Sequence, residues 1–297
     1  MDVVLVCSAT PLHVSHAITA LENDKHVLVE KPLALCYRDI DALAAAEAKS
    51  KRNVFVGYMR RYAPALQSAI KEIGDHEIQY ARVRDLIGPN SHFVAQSGTF
   101  PQRHADISQR DMDELKGLED NVAAQALEVE FKMDSASHWS SQFNMLGLLG
   151  THDLSAMREV LGMPEKVIGA GFKGDYWTAT FDFGKFLVVY ESCFNDVPVF
   201  DAHIEVYTKG KIVRVNYDTP FVKGLPTTMT VREKLDQQEG LPLYQERHVR
   251  QTYEDSYTIE LRQWYDCIVK GRRPKTSVED ARQDVDIINM ILQAAAR

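Results

Sequence analysis

Glycine is absent from the first stretch of the chain: none precedes Gly57. A turn that wraps backbone N–H groups closely around a phosphate needs glycine, so the first strand-to-helix turns carry no such cradle. Cysteine is nearly as sparse. The 4 residues, Cys7, Cys36, Cys193 and Cys267, form no CxxC pair, which argues against a zinc site or a disulfide framework and for a reducing compartment. No metal is expected. Positive charge is in deficit, with 34 Lys and Arg against 42 Asp and Glu and a net charge of -8. A nucleic-acid or anionic-membrane surface draws on clustered basic residues, so the expected partner is a small molecule. No run of about 18 apolar residues is present to span a bilayer. The N-terminus shows no basic stretch followed by a long apolar one. The expectation is a cytosolic protein of ordinary composition, and its 297 residues suffice for two domains.

What the chain does have begins with β-branched runs. Residues 3–7, VVLVC, read as a strand buried on both faces in a parallel sheet. A helix with Val14, Ile18 and Leu21 on one side follows, then the strand HVLVE at 26–30, stopped by Pro32. An Ala-rich helix over 37–51, a third strand at 53–58 and a third helix over 64–73 continue the alternation, the signature of a doubly wound parallel sheet. The pattern changes after Gly74. Residues 78–88 alternate as a longer strand, and 88–125 are polar and irregular. Residues 152–161 form a helix ended by Gly162 and Pro164. Two hairpins turn at Gly184 and at Lys209-Gly210, residues 218–250 lack periodicity, and helices over 257–269 and 278–296 close the chain. The fold class is therefore α/β plus α+β. Residues 1–75 make a Rossmann-like sheet, and 76–297 carry an open, mainly antiparallel one, with the last helices free to pack back on the first domain.

Ligands of a parallel sheet bind beyond the carboxyl ends of its strands. Three segments fall there: SATPLH, EKP and GYMRRY. Lys31, pinned between a strand and Pro32, is placed either to act as acid or base or, with Glu30, to solvate a strand end. His152 opens a helix, where an imidazole serves as proton carrier, as cap or as filler under the sheet. Asp153 lies about 100° further round that helix and so is not an automatic partner of the imidazole. Arg60 and Arg61, beside Tyr58 and Tyr62, either bind an anion or sit on a solvated loop. His92, His104 and His138 have no metal-ligand spacing, and no GxSxG, HExxH or P-loop pattern is present.

In order, TPLH, EKPLAL, VGYMRRY, GTHDL and the terminal GRRP…DA helix pair resemble the glucose-fructose oxidoreductase, inositol dehydrogenase and MocA family over essentially the whole chain. The resemblance implies a Rossmann domain for NAD or NADP and an α+β domain for substrate and oligomer contacts. Its substrates are sugars, cyclic polyols and their relatives. Its motif Lys and site His fall on Lys31 and His152. The resemblance places the cofactor against Ser8, Thr10, His13, Glu30 and Pro32, and the substrate near Tyr58, Arg60 and Asp153. Two departures stand out. The family's Asp four residues before the His is Leu148 here, which relays no proton. The strand, GxGxxG loop and helix that open the family's domain are also missing, so that VVLVC corresponds to its fourth strand.

Three readings follow: a family oxidoreductase, a cofactor-independent lyase, isomerase or cyclase using Lys31 and His152 for proton transfer, and a non-catalytic sensor on the same scaffold. With the preceding strands missing, residues 2–7 are an apolar sheet edge. The expectation is that another segment or a homo-oligomer contact covers them.

Overall fold

The computed structural model describes every residue except 1, 103, 105, 134, 135, 239 and 240. It contains two compact units. The first comprises Met1–Tyr58, Pro101–Ser155 and Glu260–Arg297, and the second Met59–Phe100 and Ala156–Ile259.

The first unit is built on a three-stranded parallel sheet of order β1-β2-β3: β1 Val3–Val6, β2 His26–Glu30 and β3 Val54–Gly57. Register runs Val4 to Val27 and Leu28 to Phe55, so the β-branched runs stack side by side. Helices α1 (His13–Glu22) and α2 (Tyr37–Lys49) are the crossovers. A parallel sheet buries both faces, and the chain supplies cover from far along the sequence. The longer helix of the C-terminal pair, Val278–Ala295, packs on α2 and β3, and its Val285, Ile288 and Ile291 are buried. The backbone N–H of Val56 donates to the Thr276 carbonyl (2.8 Å), so β3 is covered on its outer side. β1 is the other edge. Its Leu5 is 51% exposed.

The expected boundary after residue 75 therefore moves. The chain leaves the first unit at Tyr58, and residues 101–155, expected in the second domain, belong with the first, as do the last helices. A short helix, α3 (Met59–Tyr62), and α4 (Pro64–Ile73) open the second unit. It holds an eight-stranded sheet of order β11-β10-β9-β8-β4-β7-β6-β5. The strands are β4 Ile78–Ile87, β5 Lys166–Lys173, β6 Tyr176–Asp182, β7 Leu187–Phe194, β8 Phe200–Thr208, β9 Lys211–Tyr217, β10 Thr228–Gln238 and β11 Leu241–Val249. Only β4 and β7 pair in parallel, so the sheet is mixed but mainly antiparallel. Along β4, Ala81, Val83, Asp85 and Ile87 point to the buried face, while Arg82 and Arg84 meet Glu191 on the other. Residues 218–250, expected as a surface excursion, contain the β10–β11 hairpin.

No helix among the described residues is long and apolar enough to cross a membrane.

Candidate functional site

β2 ends at Glu30, and the next peptide, Lys31–Pro32, is cis. The Glu30 side chain folds back over β3. Its carboxyl Oε2 accepts the Lys31 backbone N–H at 3.3 Å, and a Cβ on Gly57 would lie 3.4 Å from the same oxygen. Burial raises the Glu30 pKa, against the Lys31 N–H and the Lys31 charge, which lower it. The Lys31 ammonium donates to the Leu148 carbonyl at 2.5 Å.

That carbonyl belongs to a π-helical turn, Leu146–Gly150, which runs into the helix Thr151–Leu161 carrying His152. Single π turns are frequent at functional sites. The turn sits tightly against the loop after Lys31: a Cβ on Gly147 would lie 2.7 Å from Leu35 Cδ1 and 2.8 Å from Cδ2. Thr151 Oγ1 donates back to the Gly147 carbonyl at 2.8 Å, closing it from the other side. Two sequence candidates 121 positions apart are thus tied through one turn. At Leu148, where the family resemblance implies an Asp, this chain offers its main-chain carbonyl to the lysine. A carbonyl holds an ammonium but takes no proton from it.

His13 joins the two loops at the sheet's carboxyl end. Its Nδ1 faces the Pro32 carbonyl (2.8 Å) and its Nε2 the Ser8 carbonyl (2.9 Å), and the residue is 2% exposed. Burial lowers its pKa, opposed by the two carbonyls, which favour the charged ring. Both ring nitrogens are spent on the backbone, so His13, expected against a cofactor, shapes the site by fixing residues 8 and 32. Ser8 Oγ meets His16 Nδ1 at 3.0 Å, and Thr10 opens a short 3-10 turn at the end of β1.

The other substrate-side expectations fare differently. The Tyr58 hydroxyl is buried and donates to Asp284. Asp153 is buried next to His152, which is half-buried. Arg60 lies in the second unit. Its guanidinium bonds Asp85 (3.0 Å) and stacks over Tyr217 (4.9 Å to the ring centre). A cation so enclosed holds that unit's own core together. Arg61 pairs with Glu159 at 2.7 Å.

One residue escaped the sequence reading. Glu260, at the start of the first unit's third segment, is 2% exposed, and its Oε1 has no hydrogen-bond partner among the described residues. Burial raises its pKa well above the ordinary carboxyl range, and the Glu30 charge pushes the same way. The signal is an acid one turn before the buried Trp264, on the apolar side of an amphipathic helix, Ser256–Val269.

A recess of about 150 Å3 opens beside this cluster, bounded by Thr10, Pro11 and Leu35 on one side and Phe143 and Leu148 on the other, with the Asp39 carboxyl at hand. It is smaller than a drug-sized pocket and takes one ring rather than a dinucleotide. A broader depression of about 710 Å3 in the second unit is lined by Glu72, Lys211 and Arg247, whose charges satisfy one another at 3.1 Å.

The GxGxxG spacing does occur once, as Gly169-Ala-Gly171-Phe-Lys-Gly174. It lies on β5, an antiparallel edge strand whose hairpin turn contains Gly174 at φ +57°. The fingerprint works only where a parallel strand turns into a helix N-terminus, so this copy is no phosphate cradle. Among the described residues no group of His, Cys, Asp and Glu is arranged to hold a metal ion.

Residues 1–58 match the model of an oxidoreductase family with an NAD-binding Rossmann fold, Gfo/Idh/MocA. The chain is 24% identical to inositol 2-dehydrogenase 3 of Saccharopolyspora erythraea, over 99% of its own length and 74% of that protein's. Among solved structures, a levoglucosan dehydrogenase in complex with NADH and levoglucosan superposes with a TM-score of 0.70 at 17% identity, covering 100% of this chain and 78% of that one. Myo-inositol 2-dehydrogenase of Lactobacillus plantarum gives 0.63 at 16% identity, covering 100% and 78%. The family model matches the first 58 residues, and over the whole chain the sequence relative and the solved structures agree with the two-sheet architecture.

Proposed function

We propose that this chain is an NAD(P)-linked oxidoreductase of cyclic or sugar-like hydroxyl compounds, with Lys31 and His152 as its acid and base. The observation that carries the reading is the bond from the Lys31 ammonium to the turn that launches the His152 helix. Lys31 itself follows the carboxyl end of β2 in a parallel sheet, where this architecture binds ligands. The names of the relatives support the substrate class: one is an inositol dehydrogenase and another is held with NADH and levoglucosan.

The residues present fit one end of such a cofactor. Ser8 and Thr10 follow β1, Glu30 and Pro32 flank Lys31 at the end of β2, and His13 ties the two loops, an arrangement that suits a nicotinamide ribose. The pyrophosphate end calls for a glycine turn that the described residues do not supply. When bound, the nicotinamide supplies the acceptor or donor of hydride. The chain's part is to take the hydroxyl proton as a carbinol becomes a carbonyl, and to return it in reduction. An imidazole or amine does this at neutral pH when its lone pair is free.

The test is calorimetry with NADH and NADPH, followed by cofactor reduction across a panel of inositols and anhydro-sugars. Lys31→Ala is expected to lower kcat by about 10²–10⁴-fold. Turnover of a cyclic polyol with no nicotinamide present, lost in Lys31→Ala, would replace this reading with proton-transfer chemistry alone.

A further inference from the structure

Basic residues are the minority charge of this chain, yet two short runs, KSKRN at 49–53 and KGRRPK at 270–275, hold seven of the 34 with no acid among them. Each run begins where a helix ends. Ser50 is the C-cap of α2, and its Oγ accepts the Arg52 N–H at 3.0 Å. Gly271, at φ +61°, stops the helix Ser256–Val269, and the Arg272 N–H reaches back to the Cys267 carbonyl at 2.8 Å. The fold then joins the runs across 219 positions: the Asn53 side-chain amide donates to the Arg272 carbonyl at 3.4 Å. Beside them lies a depression of about 650 Å3, lined by Ala44, Ala48 and Val278 and by the side chains of Lys51, Arg52 and Arg273. It precedes the amino end of β3, whereas Lys31 follows the carboxyl end of β2.

A helix dipole favours a cation at the last turn, which accounts for Lys49 and for Lys270, itself paired with Asp266 at 2.6 Å. Lys51, Arg272 and Arg273 lie beyond the helices. Among the described residues Lys49, Lys51 and Arg272 form no ion pair. Arg273 bonds Glu279 at 2.9 Å, but the two side chains are 70% and 76% exposed, and a pair so exposed is readily exchanged for a more highly charged anion. Arg52 holds Asp24 at 2.9 Å, and Glu47, which also lines the depression, takes the Val54 N–H at 2.8 Å.

We propose that this depression binds a small molecule carrying a di- or triphosphate group, at a site separate from Lys31. Ammonium and guanidinium groups are the side chains suited to phosphate oxygens, and Ala44, Ala48 and Val278 offer an apolar wall to the rest of the molecule. A compact anion fits better than a nucleic-acid rod. With seven cations gathered here on a chain of net charge -8, the remaining surface is the more acidic, and a long polyanion is repelled wherever it overruns the runs.

Calorimetry on the full chain at low ionic strength, with inorganic tripolyphosphate and with ATP, tests this. One-to-one binding is expected, weakened about tenfold or more in Lys51→Gln with Arg273→Gln, as loss of charge-assisted bonds requires. It should be unchanged in Lys31→Ala and should protect the amides of 49–53 and 270–275 from hydrogen exchange. Tighter binding of ATP identifies a nucleotide as the ligand, and equal binding identifies the phosphate chain alone. Lys49→Gln with Arg272→Gln supplies a second exposed pair with the same expected direction. No binding of either probe, undiminished binding in both double variants, loss of binding in Lys31→Ala, or tighter binding of a DNA duplex than of tripolyphosphate would each overturn the proposal.

Discussion

A buried acid that stays protonated sets a pH slope on stability, and Glu260→Gln measures it. In the unfolded chain Glu260 ionises above about pH 4.5, its ordinary value, while in the fold burial and Glu30 hold the proton on to higher pH. The unfolded state therefore binds fewer protons than the native one across that window. Stability is fully present below the ordinary value and falls as pH rises toward the raised one. Each pH unit in the window removes about 1.4 kcal/mol, the free energy of one pKa unit. Glutamine has nearly the same shape and never ionises. The difference in unfolding free energy between Glu260→Gln and wild type should be small at pH 4.5 and grow in the variant's favour by about 1.4 kcal/mol per pH unit from there up to the raised value. Urea unfolding at a series of pH values, with the slope on denaturant checked to be unchanged, gives the curve. A difference that does not vary with pH would mean that Glu260 is ionised alike in both states. A variant less stable at pH 8 than at pH 5, relative to wild type, would mean that the native carboxylate is paired. Either result refutes a proton held by burial.

Two further perturbations follow from close packing and from buried charge. Gly147→Ala puts a methyl 2.7 Å from Leu35 Cδ1, and overpacking of this kind is expected to destabilise by about 1–3 kcal/mol. Leu35→Ala in the same background should recover part of that loss, and strict additivity of the two in denaturant unfolding would refute the contact. Arg60→Ala leaves the buried Asp85 without its cation, for an expected loss of about 3–5 kcal/mol, whereas the paired change Arg60→Met with Asp85→Leu should be far milder. An Arg60→Ala variant as stable as wild type would return Arg60 to the list of ligand-facing residues.

The elements that could be read from the sequence are those whose neighbours are close by or whose faces differ. The βα alternation through residue 73 is legible because β2 and β3 are buried and β-branched and their helices have one apolar side. The hairpins at Gly184 and Lys209-Gly210 announce themselves through turn chemistry and alternating strands. β11 was missed because residues 241–246 are exposed on both faces, so no alternation is selected. The helix Gln109–Ala124 was lost among polar residues. Its cap, Ser108 bonding the Asp111 N–H with Asp111 bonding back, is a readable local signal that its weakly apolar surface obscured. Other features lie beyond any local reading. The N-terminus of α2 is capped by the Glu130 carboxylate, which takes the N–H groups of Tyr37 (2.7 Å) and Arg38 (2.9 Å) from 93 and 92 positions away. In the site, Lys31 and His152 could be named from sequence, but the Leu148 carbonyl, the Gly147 contact and Glu260 depend on which segments the fold brings together.

The threading of the two units has a consequence for synthesis. The first unit draws on three separate segments, the last beginning at Glu260, and the outer side of β3 is closed by Thr276. β4 must likewise wait for β7 and β8, more than 100 positions later. Long-range pairings of this kind form slowly and leave apolar edges open meanwhile. A ribosome that has emitted the first 250 residues has therefore made every strand of both sheets but none of the final helices that belong to the first unit. Completion of the first unit is expected only when the final helices emerge, which makes a nascent chain stalled before them a natural client for a holding chaperone.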